Sequence, residues 1–189
     1  GHGILVLSPK AVERINSYNP PWPIPKLFQL RKNGKLNLDI FSGVTINTPS
    51  MLCVEDFLDA LNWTEEVGGL SVLISKSKNN LNLIKNWIST SHWADFLCED
   101  VNNLSSTSIC LKLVDPKIMD LPLEIKNDIE KNIVKLLEEH EVAFDIGSYR
   151  SAPPGLRIWG GPTVDSNDLK NLLPWLDWAY YETLVQLKI

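Results

Sequence analysis

Tyr149-Arg150-Ser151-Ala152-Pro153-Pro154-Gly155-Leu156-Arg157-Ile158-Trp159 occupies residues 149–159. Its prolines forbid helix, because proline lacks an amide donor and pushes its predecessor toward extended backbone. The Leu156-Arg157-Ile158-Trp159 run then reads as a strand. Strand alternation normally sends an arginine within such a run to the wet face. The Pro153-Pro154-Gly155 bend instead suggests a strand entering a cleft, where Arg157 can grip a planar carboxylate bidentately, as lysine cannot. Arg150 and Tyr149, just upstream, are candidates for the same anion site, with enough chain before Arg157 to curl around a ligand.

Outward from this stretch, residues 142–146 read as a second strand, and Ile129, Ile133, Leu136 and Leu137 give 125–139 the helical period. Residues 94–98 and 108–114 read as strands flanking the polar loop 99–107. Leu70, Leu73, Ile74, Leu81, Ile84, Trp87 and Ile88 carry a helix from the Gly68-Gly69 break toward Ser91. Asp165 is placed to cap a final helix running through Trp178 and Leu184 despite Pro174. The order from Gly69 is helix, strand, strand, helix, strand, strand, helix. It predicts an α+β domain with a small, mostly antiparallel sheet and helices packed on one face.

Before that domain, Ile4-Leu5-Val6-Leu7 reads as a strand buried on both faces, followed by a short helix over 11–15. The proline-rich stretch 19–25 is expected to run extended as a connector. Phe28-Gln29-Leu30, the Asn33-Gly34 turn and residues 36–41 suggest a hairpin. A helix is expected over 49–67, with Thr48 as its N-cap and Pro49 in its first turn. That reading needs no ligand. The same geometry, with Asn47 alongside, also aims free donors and the positive end of the helix dipole at a phosphate.

The totals exclude several classes. At 189 residues, 44% hydrophobic and 22% charged, the chain is globular rather than disordered. A net charge of −5 with scattered lysines lacks the basic stripe of a nucleic-acid binder. The apolar runs are too short for a bilayer, so no membrane partner is expected. Cys53, Cys98 and Cys110 have no metal or disulfide spacing and read as buried thiols in a reducing, cytoplasmic setting. His2, His92 and His140 are not spaced as metal ligands, and His140 is expected to face solvent. Glu65-Glu66 and Glu138-Glu139 read as solvated helix faces. Trp63, Trp87, Trp175 and Trp178 are expected to pack, and Trp159 to line the cleft beside Arg157. No nucleophile, base or metal cluster accompanies the anion-binding candidates.

Taken in order, residues 1–9, Ile46-Asn47-Thr48-Pro49-Ser50, residues 149–159 and Pro174-Trp175-Leu176-Asp177-Trp178-Ala179 resemble the carboxy-terminal part of the phosphoserine aminotransferase family. These are class V, fold-type I, pyridoxal-phosphate-dependent enzymes. The resemblance implies that 1–42 closes the large cofactor-binding domain and adds a connector, that 43–68 holds the cofactor-phosphate loop and an interdomain helix, and that 69–189 is the carboxy-terminal small domain. It implies that Asn47 and Thr48 bind the phosphate of pyridoxal 5'-phosphate in the neighbouring subunit of a homodimer. Arg157 would hold the substrate α-carboxylate and Arg150 the phosphate of phosphoserine or phosphohydroxypyruvate. Tyr149 stands where other members place histidine; it can donate a hydrogen bond but carries no positive charge. The implied reaction moves the amino group of L-glutamate to 3-phosphohydroxypyruvate in serine biosynthesis. Its Schiff-base lysine falls outside this chain, which is therefore expected to be inactive alone. Two other readings stand beside it: a class V aminotransferase for unphosphorylated acids, and a stand-alone α+β ligand-binding module.

Overall fold

Proline and glycine punctuate the first third of the chain more strongly than any apolar period, and the backbone follows them. A computed structural model describes residues 3–189. The chain forms two units, Gly1–Trp63 and Thr64–Ile189.

In the first unit, helix α1 (Pro9–Ser17) starts at Ser8, whose hydroxyl accepts a hydrogen bond from the Ala11 amide at 3.2 Å. Strands β1 (Arg31–Lys32) and β2 (Lys35–Leu36) pair antiparallel around Asn33-Gly34. Both turn residues are left-handed, with φ of 54° and 82°, the backbone a tight hairpin requires. The expected turn is present, but each arm is only two residues long. Phe28 ends a 3-10 turn that follows Pro25, and Leu38–Ser42 forms a second one, capped by the Asn37 side chain. The Leu36 amide donates to Asn16 Oδ1 at 2.7 Å, fastening the hairpin to α1.

Three expectations are corrected here. Residues 4–7 form no strand: a ladder needs a neighbour, and Ile4 and Val6 are 76% and 87% exposed. Gly1 and His2 lie outside the described residues. Helix α2 (Met51–Glu66) begins after Ser50, which accepts from the Cys53 amide through its hydroxyl and from the Val54 amide through its carbonyl. Ser50, not Thr48, is therefore the cap, and Pro49 precedes the helix instead of opening it. All three cysteines are half-buried, not buried. No described residue of the first unit is buried.

The second unit has the core. Gly68 and Gly69, with φ of 108° and 77°, separate α2 from α3 (Gly69–Ile88). Strands β3 (Ala94–Phe96) and β4 (Ser108–Leu113) follow, then the short helix α4 (Pro116–Met119), α5 (Leu123–Glu139), β5 (Gly155–Trp159) and α6 (Ser166–Leu187). The sheet order is β3-β4-β5, antiparallel throughout. Leu156 pairs with Leu111 and Ile158 with Ile109, so one sheet face is apolar and joins Ile84, Ile129, Ile133, Leu137 and Leu176 in a single core. Each such side chain contributes about 1.5–3 kcal/mol by leaving water. The helices thus cover one face of an antiparallel sheet, as the pattern predicted.

The strand expected over 142–146 is absent. Glu141 and Asp145 adopt left-handed φ of 55° and 53°, which breaks the extended course. One bridge survives, Gly147 with Leu156, beside a 2.8 Å hydrogen bond from the Arg157 amide to the Ile146 carbonyl. Helix α4 was not anticipated, although Asp115-Pro116 is a capping pair whose carboxylate accepts from the Lys117 amide. Asp165 sits at the α6 N-cap without a capping bond; its carboxylate takes Lys76 Nζ at 3.4 Å instead.

Polar groups lock the core at two places. Asn80 on α3, fully buried, donates to the carbonyls of Gly160, Gly161 and Val164 and accepts from Ser166 Oγ. Asp177 on α6 accepts from the indoles of Trp87 and Trp93, and Trp93 stacks on Tyr180 at 4.5 Å. Trp87 and Trp178 pack on the core, whereas Trp175 lies at the surface beside His140.

Two outcomes follow. Asn80→Ala strands buried carbonyls and should lower unfolding free energy by about 2–3 kcal/mol in urea titrations. Burial, reinforced by the hydrogen bond to Asp115, raises the Tyr180 phenol above its ordinary value. Its stabilisation is therefore complete below roughly pH 10 and is lost as pH climbs above it. Stability measured between pH 8 and 12 should decline in the parent, and less in Tyr180→Phe.

Candidate functional site

Gly155 opens β5 so close to β4 that a Cβ there would collide with the Leu111 carbonyl, so only glycine permits this entry. Two residues later Arg157 stands opposite Cys110 on the face turned from the core. Its side chain is 26% exposed. Nη2 meets Asp145 Oδ2 at 3.3 Å and the Asp145 carbonyl at 3.5 Å. The guanidinium carbon lies 4.5 Å from the centre of the Tyr149 ring, a cation–π contact. Nε is buried without a hydrogen-bond partner.

Arg157 lines a cleft of about 310 Å³ together with Phe144, Asp145, Trp159, Asp168 and Leu172. Trp159 is at this cleft as expected, its indole donating to Thr163 Oγ1 at 3.0 Å. The lining offers one guanidinium, aromatic and aliphatic walls, and two carboxylates. Such a surface can orient a small acid; among the described residues it includes no group of histidine, cysteine, aspartate and glutamate able to hold a metal.

The loop between Gly147 and Gly155 carries Tyr149 and Arg150 and is gathered onto α5 by one carboxylate. Glu130 Oε1 accepts from the Ser148 amide and hydroxyl, both at 2.8 Å, while Oε2 accepts from the Gly155 amide at 3.0 Å. Charged acceptors make such bonds about twice as strong as neutral ones. Arg150 is exposed and makes no ion pair among the described residues. Tyr149 and Arg157 are thus brought together, with Arg150 beside Tyr149 in sequence. Asn47 and Thr48 belong to the first unit, where both are exposed in an irregular segment.

Sequence reasoning missed Glu130 and Asp145. Glu130 adjoins the buried Ile129 on α5, which placed it near the core side without revealing its partners. Asp145 was read as part of a strand. Glu130→Ala should lower stability by about 2–3 kcal/mol by leaving the Ser148 and Gly155 amides unpaired. Hydrogen exchange at those two amides should accelerate more than elsewhere; uniform acceleration would contradict the local clamp.

No protein-family model matches the chain. A phosphoserine aminotransferase of Methanosarcina mazei is 48% identical over 179 residues, which cover 95% of this chain and 46% of that protein. One from Methanosarcina barkeri is 49% identical with the same coverage. The chain therefore spans just under half the length of these curated relatives. Among solved structures, phosphoserine aminotransferase from Bacillus circulans subsp. alkalophilus superposes with a TM-score of 0.61 at 23% identity, over 76% of this chain and 36% of that one. Another phosphoserine aminotransferase, studied for radiation damage of its Schiff base, gives 0.60 at 15% identity. These two similarities establish the fold, and the Methanosarcina proteins align with 95% of this chain at 48% and 49% identity: the chain is similar, along nearly its whole length, to just under half of a phosphoserine aminotransferase.

Proposed function

We propose that this chain is the acid-recognising part of a pyridoxal-phosphate-dependent phosphoserine aminotransferase. The observation that carries the reading is Arg157: a guanidinium at the edge of a cleft, set against the Tyr149 ring, whose one ion pair among the described residues is a 3.3 Å contact through Nη2. A bidentate carboxylate would complete it. In this reading Arg157 holds the α-carboxylate of the substrate, phosphoserine or glutamate. Arg150, exposed and unpaired in the adjoining loop, meets the substrate phosphate. Tyr149 steadies Arg157 through its ring, and its phenol is available to donate.

Asn47 and Thr48 suit the phosphate of pyridoxal 5'-phosphate as neutral donors with exposed side chains, which hydrogen bonding elsewhere in the described residues does not consume. When bound, that cofactor supplies the electron sink for amino-group exchange. What this chain contributes is grip and orientation: two positive side chains for the acid groups and two neutral ones for the cofactor phosphate. We assign 1–42 to the end of the large domain, 43–68 to the interdomain helix and its preceding loop, and 69–189 to the small domain. That no described residue of the first unit is buried, while Ile4, Val6, Leu52, Phe57 and Leu58 are exposed, fits a segment that packs against other polypeptide. A homodimer, with Asn47 and Thr48 reaching the neighbouring site, and a cytoplasmic setting belong to the same reading. Among the described residues no helix is long and apolar enough to cross a membrane.

The test uses the full-length protein that contains this chain. Arg157→Gln should reduce kcat/KM for phosphoserine and for glutamate alike, by roughly 10- to 100-fold, the loss expected for a charge-assisted bond. Arg150→Ala should penalise phosphoserine and spare glutamate. Unchanged constants for Arg157→Gln would reject the site; an Arg150→Ala effect shared by both substrates would favour an aminotransferase of unphosphorylated acids.

A further inference from the structure

Arg157 already has a carboxylate neighbour, and its geometry is that of an occupant easily removed. Asp145 touches one terminal nitrogen only, at 3.3 Å, whereas charge-assisted pairs close to about 2.7–2.9 Å. Its side chain is 93% exposed, which leaves the carboxylate hydrated. It reaches Arg157 from a left-handed backbone conformation, φ 53°, that aspartate tolerates better than most residues. Nε of the same guanidinium stays unsatisfied. Two other features already steady the arginine, the β5 register opposite Cys110 and the Tyr149 ring. A group needed to position Arg157 would be buried and would engage more than one corner of the fork. Asp145 does neither.

We propose that Asp145 is a built-in counter-ion that competes with the ligand carboxylate for Arg157, and so sets how weakly the site holds acids. The proposal rests on the reading of Arg157 as the carboxylate anchor. In the free site Asp145 occupies the Nη2 corner of the guanidinium and offsets the positive charge. An incoming carboxylate takes that corner, and Asp145 turns to water at little loss because exposed pairs of this kind contribute little. Asp168, the other carboxylate on the cleft wall, adds to the selection. With two acids facing one base, the cleft repels anions that cannot make the paired contact with the guanidinium. The arrangement favours anions that can pair with two guanidinium nitrogens at once over those that cannot, since only the paired contact repays displacement of the resident group.

The experiment measures steady-state constants of the full-length holoenzyme for phosphoserine and glutamate, comparing the parent with Asp145→Asn, Asp145→Glu, Arg157→Gln and the double variant. Asparagine accepts the left-handed backbone, and Asp145→Gly provides a second charge-free variant at that φ. Loss of the charge should lower KM for both substrates about two- to fivefold, the order of one exposed ion pair. Asp145→Glu should return KM toward the parent value. On the Arg157→Gln background the benefit of Asp145→Asn should vanish, because there is then no cation to compete for. If Asp145→Asn and Asp145→Gly raise KM or leave it unchanged while Arg157→Gln raises it, the counter-ion role is overturned and the anchor stands. If Arg157→Gln itself leaves KM unchanged, the anchor reading fails and the competition fails with it.

Discussion

The close approach of Gly155 to the Leu111 carbonyl fixes everything that the candidate site depends on. It lets β5 enter beside β4 in the one register that sends Leu156 and Ile158 into the core and leaves Arg157 on the opposite face. A slip of one residue would bury the guanidinium and expose two core side chains, so hydrophobic burial on one face enforces cation placement on the other. The site is therefore held by the core and not by its own contacts.

Around that fixed point the remaining parts are held with graded strength. Glu130 draws the 147–155 loop onto α5 through backbone amides at both ends, giving Tyr149 and Arg150 a supported base. Tyr149 then lies over Arg157, while Asp145 holds it loosely from an exposed position. In the proposed reading, rigid support below and a displaceable partner above suit a site that holds an acid and then releases it. The first unit presents the reverse case, with Asn47 and Thr48 on a segment that has no core of its own.

Much of this was legible where a single local rule decides the outcome. The apolar period of Ile129, Ile133 and Leu137 gave α5, the double glycine at 68–69 separated α2 from α3, and Pro153-Pro154-Gly155 marked the entry to β5. Arg157 could be picked out because an arginine inside an apolar strand after such a bend is unusual. What escaped was set by partners distant in sequence or by backbone handedness. Ile4-Leu5-Val6-Leu7 carries strand composition but has no ladder to join, and Val142-Ala143-Phe144-Asp145-Ile146 is interrupted by a left-handed aspartate that side-chain pattern does not announce. Thr48 looked like a cap, yet Ser50, two residues on, has the hydroxyl that the helix uses. Glu130 resembles any other helix glutamate until the loop it gathers is seen.

A crystal structure of the full-length protein with bound phosphoserine tests the central claim most directly. The account predicts the amino-acid carboxylate in a paired contact with Arg157, its oxygens about 2.7–2.9 Å from the guanidinium nitrogens, with Asp145 turned away. A carboxylate bound elsewhere, with the Arg157–Asp145 contact intact, would contradict it.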